Sequence, residues 1–408
     1  MTRLRLLSGP DLSLGAESMH AHVQRLGPPP MARAVLLGAI ERSGLTGRGG
    51  AGFPVARKWH SVSAAGSAPV IIVNGAEGEP QSLKDRVLMT TRPHLILDGA
   101  LIAARVLRAA EIAIYVGEHH HAAWTAMAAA LAERPEPELR RARMAAAPAR
   151  YVAGESSAAV NFLSSSIGTP TSKPPEPHTA GVGGAPTLVQ NVETLAHVAL
   201  IGRYGAEWYR SAGRRGAAGT VLLTAAGAVR SPGVLEVEAG TTVAEAVEMA
   251  GGAAGSPRAV LLGGYFGSWV DARQAMELPL DQAALRQAGY GLGCGVVGVI
   301  SEHACGVCET ARIMAYLAGE SSAQCGPCFF GLRALSEACS RIAARGTNRD
   351  DLARLARWSS EVRGRGACKH PDGAIILLQS ALRTFGDEFA SHPAHWRNHP
   401  SPAAMQTA

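Results

Sequence analysis

Between residues 35 and 200, short unbroken apolar runs alternate with longer stretches whose apolar positions recur at helical spacing. Val70-Ile71-Ile72-Val73 and Ile112-Ala113-Ile114-Tyr115-Val116 read as buried strands, and residues 96–109 and 121–133 read as helices. That alternation predicts an α/β layered domain. From 218 to 275 the pattern changes to short β-rich runs around one helix: GTVLLTAAGAV, PGVLEVEAGTTVAEAVEMAGG and AVLLGGYFGSWV. A small β-grasp-like unit is expected there. After Ser301 the periodicity predicts helices over 306–319, 327–344, 349–360 and 372–386, with a loose tail from 391. Gly-Ala-rich stretches at 211–218 and 250–256 read as linkers or turns. The expected organisation is therefore an α/β domain over 1–210, a β-grasp domain over 216–276, a helical bundle over 300–390 and a tail over 391–408.

Composition narrows the function classes. At 408 residues, 47% apolar and 18% charged, the chain has ample core material, and a disordered or fibrous protein is excluded. No run of eighteen apolar residues occurs and the start lacks a signal-peptide core, so a cytoplasmic protein without membrane insertion is expected. The 39 basic residues are scattered among 33 acidic ones, which argues against nucleic-acid binding. Only Lys58, Lys84, Lys173 and Lys369 are lysines, so each marks a place where a compact ammonium is wanted. The cysteines, at 294, 305, 308, 325, 328, 339 and 368, are odd in number and confined to the C-terminal part. Metal or redox chemistry fits them better than a disulfide framework.

Gly47-Arg48-Gly49-Gly50-Ala51-Gly52 matches G-x-G-x-x-G, whose bare backbone lets a phosphate approach amide groups. The preceding AVLLGAIERSG reads as helix and loop, not strand, so this is not a dinucleotide fingerprint. GLTGRGGAGFPVARKW is followed in order by VNGAEGEPQSLKDR, YVAGESSAAVNFL, SKPPEP and PTLVQNVETLA. Together these motifs resemble the flavin-binding, NADH-oxidising subunit of respiratory complex I and its relatives in soluble hydrogenases and formate dehydrogenases. The resemblance covers residues 40 to 385.

It implies a Rossmann-like layered FMN domain, a soluble-ligand-binding β-grasp domain and a helical iron–sulfur domain. It also implies that Gly47, Gly49, Gly52 and Lys58, with Arg48 beside them, cradle the FMN phosphate. Asn74, Tyr151, Gly154, Glu155 and Asn191 match positions lining the flavin ring and ribityl chain. Carboxylates would repel a phosphate, so Glu77 and Glu79 are expected to accept from ribose hydroxyls or the flavin edge. NADH is the implied donor and a ferredoxin-like or other redox protein the implied acceptor. Of the family's aromatic set around the dinucleotide only Phe53 is kept; Ser61 and Glu176 stand where rings are expected. Each lost ring forfeits about 0.5–1.5 kcal/mol, so another donor stays open. The stretch from Asn74 to Pro80 looks closer to the C subunit of the ion-pumping ferredoxin:NAD oxidoreductases, and a ferredoxin-linked adaptor or a non-catalytic binding relative are the alternatives.

Cys325-Gly326-Pro327-Cys328 with distant Cys368 resembles the family's [4Fe-4S] motif, in which the first ligand position is here Ser322. Soft sulfur donors at a helix start suit iron–sulfur chemistry. The options are a [4Fe-4S] centre with a serine or other fourth ligand, a [3Fe-4S] centre, zinc, or no metal. Cys305-Gly306-Val307-Cys308 repeats the spacing without a second pair and reads as a structural match. His119-His120-His121 reads as a solvated helix start.

Overall fold

The computed structural model describes residues 4–29, 33–172 and 174–392. Lys173 and residues 393–408 of the tail expected from 391 lie outside the described residues, while Ser391 ends a helix and His392 is hydrogen-bonded to Thr347, so the packed chain runs past the expected start of the tail. Two compact units divide the chain. The first comprises Met1–Gly78, Leu83–Leu222 and Glu236–Thr241; the second comprises Glu79–Ser82, Leu223–Leu235 and Thr242–Ala408.

In the first unit, β1 (Val70–Gly75), β2 (Glu111–Gly117), β3 (Arg143–Ala147) and β4 (Thr187–Asn191) form a parallel sheet in the order β3-β2-β1-β4. The unbroken apolar runs of β1 and β2 suit strands covered on both faces. The helix Pro93–Leu107 begins three residues before the expected 96, with proline in its first turn, and stops where Arg108 adopts a left-handed conformation at φ 55°. It packs against the helix Val192–Arg210 so closely that a Cβ on Gly99 would lie 2.0 Å from the Leu195 carbonyl oxygen. The two helices meet at a glycine for that reason. The chain runs from β1 to β2 to β3 on one side and then crosses to β4 on the other. Asn74 pairs in register with Asn191, so the carboxyl ends of β1 and β4 flank the point where strand order reverses. In open α/β sheets ligands bind at that crevice.

Buried charge fastens the periphery of this unit. Arg92, fully buried, donates to the carbonyls of Leu7, Ser8 and Pro10. Glu236 accepts from the backbone N–H groups of Arg5, Leu6 and Leu7 at 3.0, 2.9 and 2.9 Å. Asp98 gathers His22, Arg134 and Arg203.

Most of a second sheet belongs to the second unit: β5 (Thr220–Gly227), β6 (Gly233–Glu238), β7 (Pro257–Leu262), β8 (Ser268–Asp271) and β9 (Val296–Ser301), in the order β6-β5-β9-β7-β8, with Thr220–Leu222 and Glu236–Glu238 assigned to the first unit. β9 runs parallel to β5 and antiparallel to β7. The sheet therefore reaches beyond residue 276, because the Val296-Val297-Gly298-Val299-Ile300 run supplies its central strand. Thr242 and Glu245 form a reciprocal capping box on the helix Val243–Met249. The helix Gly306–Gly319 matches its sequence pattern. The expected 327–344 resolves into a wide π-type turn, Pro327–Leu332, and a helix, Arg333–Arg345. Arg349–Val362, His370–Thr384 and the short Gly386–Ser391 complete the helices.

Candidate functional site

The glycine loop joins the helices Arg33–Ser43 and Val55–Ser63. Its ends are closed by the Gly47 N–H donating to the Phe53 carbonyl at 2.9 Å and the Val55 N–H donating to the Leu45 carbonyl at 3.0 Å. Gly50 and Gly52 lie at φ 113° and 62°, where a side chain would be strained. Gly49 passes the end of β4, its Cβ position 3.3 Å from the Asn191 Cβ. The helix Val55–Ser63 has Pro54 at its N-cap and no side-chain cap, which suits an anion at its first turn. Lys58 in that helix donates from Nζ to the Val189 carbonyl of β4.

At the end of β1, Asn74 Nδ2 donates to the Gly154 carbonyl at 2.9 Å, which brings the turn Tyr151–Gly154 beside the strand. A Cβ on Gly78 would lie 2.6 Å from the Tyr151 carbonyl oxygen. Asn191 caps the helix after it, accepting from the Glu193 N–H at 3.0 Å, and donates to Asp85 at 2.6 Å. Gly49 and Lys58 thus meet β4 at Asn191 and Val189, and the turn Tyr151–Gly154 meets neighbouring β1 at Asn74. A cradle of backbone amides, one ammonium and two amide side chains at a strand-order reversal fits a phosphate-bearing flavin.

Several expected contributors do different work. The Arg48 guanidinium points into the core, donating to the Tyr209 hydroxyl at 3.0 Å and the Thr220 carbonyl at 3.3 Å, and its N–H donates to Thr194. It supports the loop from behind instead of meeting a phosphate. Glu77, its side chain only 2% exposed, accepts from the N–H groups of Asp85 and Arg86 at 2.9 and 2.8 Å. Its carboxylate completes the start of the helix Lys84–Thr91. Glu79 belongs to the second unit, where it accepts from the Tyr265 N–H at 2.8 Å. Glu155 likewise caps the helix Ser156–Ser165 through the N–H groups of Ser157 and Ala158. Phe53 is 49% exposed, with the Arg57 guanidinium 5.7 Å from its ring centroid.

Beneath Asn191 lies a network that sequence reasoning left without a role. The buried Lys84 ammonium meets Asp85 at 2.7 Å and Glu193 at 2.9 Å. Burial opposes its charge, but the two carboxylates win and raise its pKa; burial pushes the Asp85 carboxyl up to about 6. The scarcity of lysine was the available signal.

In the second unit, Cys325 opens the π-type turn, its carbonyl accepting from the N–H groups of Cys328 and Phe329 at 3.1 and 2.9 Å. Burial pushes the Cys328 thiol up to about 12; a Ser321 hydrogen bond opposes this, and Cys325 and Cys368 add repulsion. Ionising Cys328 there calls for a compensating cation. A cleft of about 360 Å³ beside Cys328 is lined also by Ser321, Phe329 and Arg333. Ser321 and Ser336 both line this cleft, and the Ser321 hydroxyl bonds Cys328; the expected Ser322 is not among the lining residues. Cys325 and Cys368 stand near enough to raise the Cys328 thiol, and a set of soft sulfur donors there fits an iron–sulfur centre. Cys305 and Cys308 do have a partner: the His392 Nε2 lies 3.3 Å from the Cys305 Sγ and 3.7 Å from the Cys308 Sγ. His120, in the histidine run, is half-buried, and burial lowers its pKa to about 4. Among the described residues, no helix is long and apolar enough to cross a membrane.

Comparison with known proteins agrees with this division of labour. Residues 40–200 match the Nuo51 FMN-binding domain, residues 223–264 the SLBB domain, and residues 308–392 the NADH-ubiquinone oxidoreductase-F iron-sulfur binding region. The chain is 33% identical over 371 residues to the second NADH-quinone oxidoreductase F protein of Rhizobium meliloti, covering 86% of this chain and 87% of that one. It is 32% identical over 373 residues to the NADH-quinone oxidoreductase F protein of Escherichia coli, covering 87% and 83%. An NAD+-reducing [NiFe]-hydrogenase in the H2-reduced state superposes with a TM-score of 0.79 at 31% identity over 89% of this chain, which spans 63% of the hydrogenase chain's length. The same kind of enzyme in the air-oxidised state gives a TM-score of 0.81 at 29% identity over 98% of this chain and 68% of that one. With a third of its residues shared along nearly all of the complex I protein, the chain belongs to the family of flavin-binding, NADH-oxidising NADH-quinone oxidoreductase F proteins.

Proposed function

We propose that this chain is the flavin-bearing component of a redox assembly, taking an electron pair from NADH and delivering single electrons through an iron–sulfur centre to a redox-protein partner. When bound, FMN supplies acceptance of an electron pair and its release one electron at a time, and the cluster supplies one-electron transfer. The observation that carries the reading is the convergence of the glycine loop, Lys58, Asn74 and Asn191 at the strand-order reversal. In this reading, the Gly47–Gly52 amides and Lys58 hold the phosphate, while Asn74, Tyr151, Gly154 and Asn191 orient the ring and ribityl chain. Glu77 and Glu155 serve as positioning residues that fix the two helix starts beside them. Cys325, Cys328 and Cys368 hold the cluster, with the Ser321 hydroxyl beside Cys328.

One observation favours a second donor. Ser61 carries no ring and donates its hydroxyl to the Arg57 carbonyl, and Glu176 is exposed, so Phe53 alone remains for stacking. Anaerobically purified protein would be assayed for flavin and iron, then mixed with NADH or with reduced ferredoxin. Flavin bleaching by NADH supports the dehydrogenase reading; bleaching by ferredoxin alone supports the adaptor. Protein without flavin after reconstitution refutes both.

A further inference from the structure

We propose that Cys305, Cys308 and His392 form a binding site for a single zinc-type divalent ion, separate from the cluster ligands Cys325, Cys328 and Cys368. The proposal goes beyond the electron-transfer reading and does not depend on it. Cys305 is the N-cap of the helix Gly306–Gly319 and Cys308 lies one turn inside it, so the C-x-x-C spacing turns both sulfurs to the same end. The Cys305 Sγ accepts the Cys308 N–H at 3.4 Å. Such amide-to-sulfur bonds, with the helix dipole, favour thiolate character at this position.

The third donor arrives from 87 positions away. His392 is held in place through its backbone: its N–H donates to the Thr347 Oγ1 at 3.0 Å and its carbonyl accepts from the Thr347 N–H at 3.0 Å. Glu388, on the short helix before it, accepts from the Gly306 N–H at 3.1 Å. The C-terminal segment is thus docked on the same helix start that carries the thiols.

The spacing selects the ion. Bonds of about 2.3 Å to sulfur and about 2.05 Å to nitrogen, at the tetrahedral angle, separate the donors by about 3.6 Å. The two sulfur–nitrogen distances, 3.3 and 3.7 Å, bracket that value, and all three donor atoms lie within 4.8 Å of one another. A cuboidal cluster binds each sulfur to a different iron and spreads its ligands more widely. Two thiolates with one imidazole are the donor set zinc prefers over harder ions. A zinc ion held by three protein donors keeps its fourth position for water or an exchangeable ligand. The bound ion would tie the start of one helix to the end of the helical region.

The test uses the full chain, produced with zinc and without chelator, and measures zinc, iron and flavin on the same samples. The expected result is one zinc per chain in the wild type and in the Cys325→Ser/Cys328→Ser double variant. Zinc should be lost in Cys305→Ser/Cys308→Ser, with flavin retained. Cobalt(II) replacing zinc should give the intense visible bands of a tetrahedral thiolate site, displaced in His392→Ala. That spectral arm keeps the test decisive should the double cysteine variant fail to fold. Zinc that disappears with Cys325 and Cys328 instead, iron bound through Cys305, a Cys305–Cys308 disulfide in the native protein, or no tetrahedral cobalt spectrum would each overturn the proposal.

Discussion

The proposed flavin cradle of the first unit and the thiol group of the second are prepared for opposite charges, and they are prepared differently. The cradle consists of backbone amides, an ammonium and amide side chains whose polar partners are already in place: Asn191 caps a helix while bonding Asp85, and Asn74 holds Gly154. Glu77 and Glu155, the carboxylates nearest by sequence, are spent on helix starts. An anion meets oriented dipoles that need little rearrangement. Burial instead raises the Cys328 thiol, and Cys325 and Cys368 nearby push it the same way. A site for a cation built from thiols is completed by the cation itself. The anion site is set by groups that already have partners, whereas the Cys325, Cys328 and Cys368 site awaits its cation.

Cysteine removal should have the largest effect. Cys325→Ala or Cys328→Ala should abolish iron incorporation while leaving flavin stoichiometry intact, read by iron and flavin analysis after anaerobic reconstitution. Flavin lost together with iron would break the contrast. Next, Lys58→Ala should weaken FMN retention by about 1.5–3 kcal/mol, the worth of a charge-assisted hydrogen bond, or roughly tenfold to 150-fold in Kd. Equilibrium dialysis checks it; unchanged retention would mean the amides suffice alone. A smaller gain is expected from Ser61→Tyr, which should tighten NADH by about 0.5–1.5 kcal/mol if a ring there stacks on the dinucleotide. Stopped-flow flavin reduction over a range of NADH concentrations would show no change if the position is outside the site.

The smallest effect concerns pH. Burial, aided by His22 and Arg134, lowers the His94 pKa to about 4, so this histidine is held neutral in the folded state. A folded pKa below the unfolded value of about 6.5 contributes stability above pH 6.5 that is lost as pH falls toward 4. His22 works in the other direction: burial opposes its charge, but Asp98 and Glu17 raise its pKa, so its contribution fades as pH rises above 6.5. His94→Gln should therefore flatten the acid limb of a Tm-against-pH curve and leave the alkaline limb alone. An unchanged acid limb would remove His94 from the account.

Much of this was legible in the chain because the relevant signals are local. β1 and β2 announce themselves as apolar runs, and the helix Gly306–Gly319 as an amphipathic stretch between a cysteine pair and a glycine. The gathering of the glycine loop at Asn191 follows from five motifs in fixed order. What escaped depends on direction or distance. Nothing in G-R-G-G shows that the Arg48 side chain turns inward to Tyr209, because a loop has no periodicity to assign its faces. Ser321 and Ser322 differ only in which way one turn points. The strand Val296–Ser301 follows a glycine-rich loop and finds its neighbours far back in the sequence. His392 is invisible beside Cys305 until a segment of 87 positions has folded.

The Glu236 carboxylate has a consequence for how the protein is made. Leu6 and Glu236 are 230 positions apart, so at roughly 5–20 residues per second the acceptor leaves the ribosome about 10–50 s after the amide it serves. The β1–β4 sheet, complete at Asn191, is translated before that acceptor exists. Arg92 arrives much sooner and can take up the carbonyls of Leu7, Ser8 and Pro10. The N-terminal segment is therefore secured in two stages during synthesis, its oxygens first and its N–H groups last, and a nascent chain stalled between residues 92 and 236 would expose that segment to proteases and chaperones.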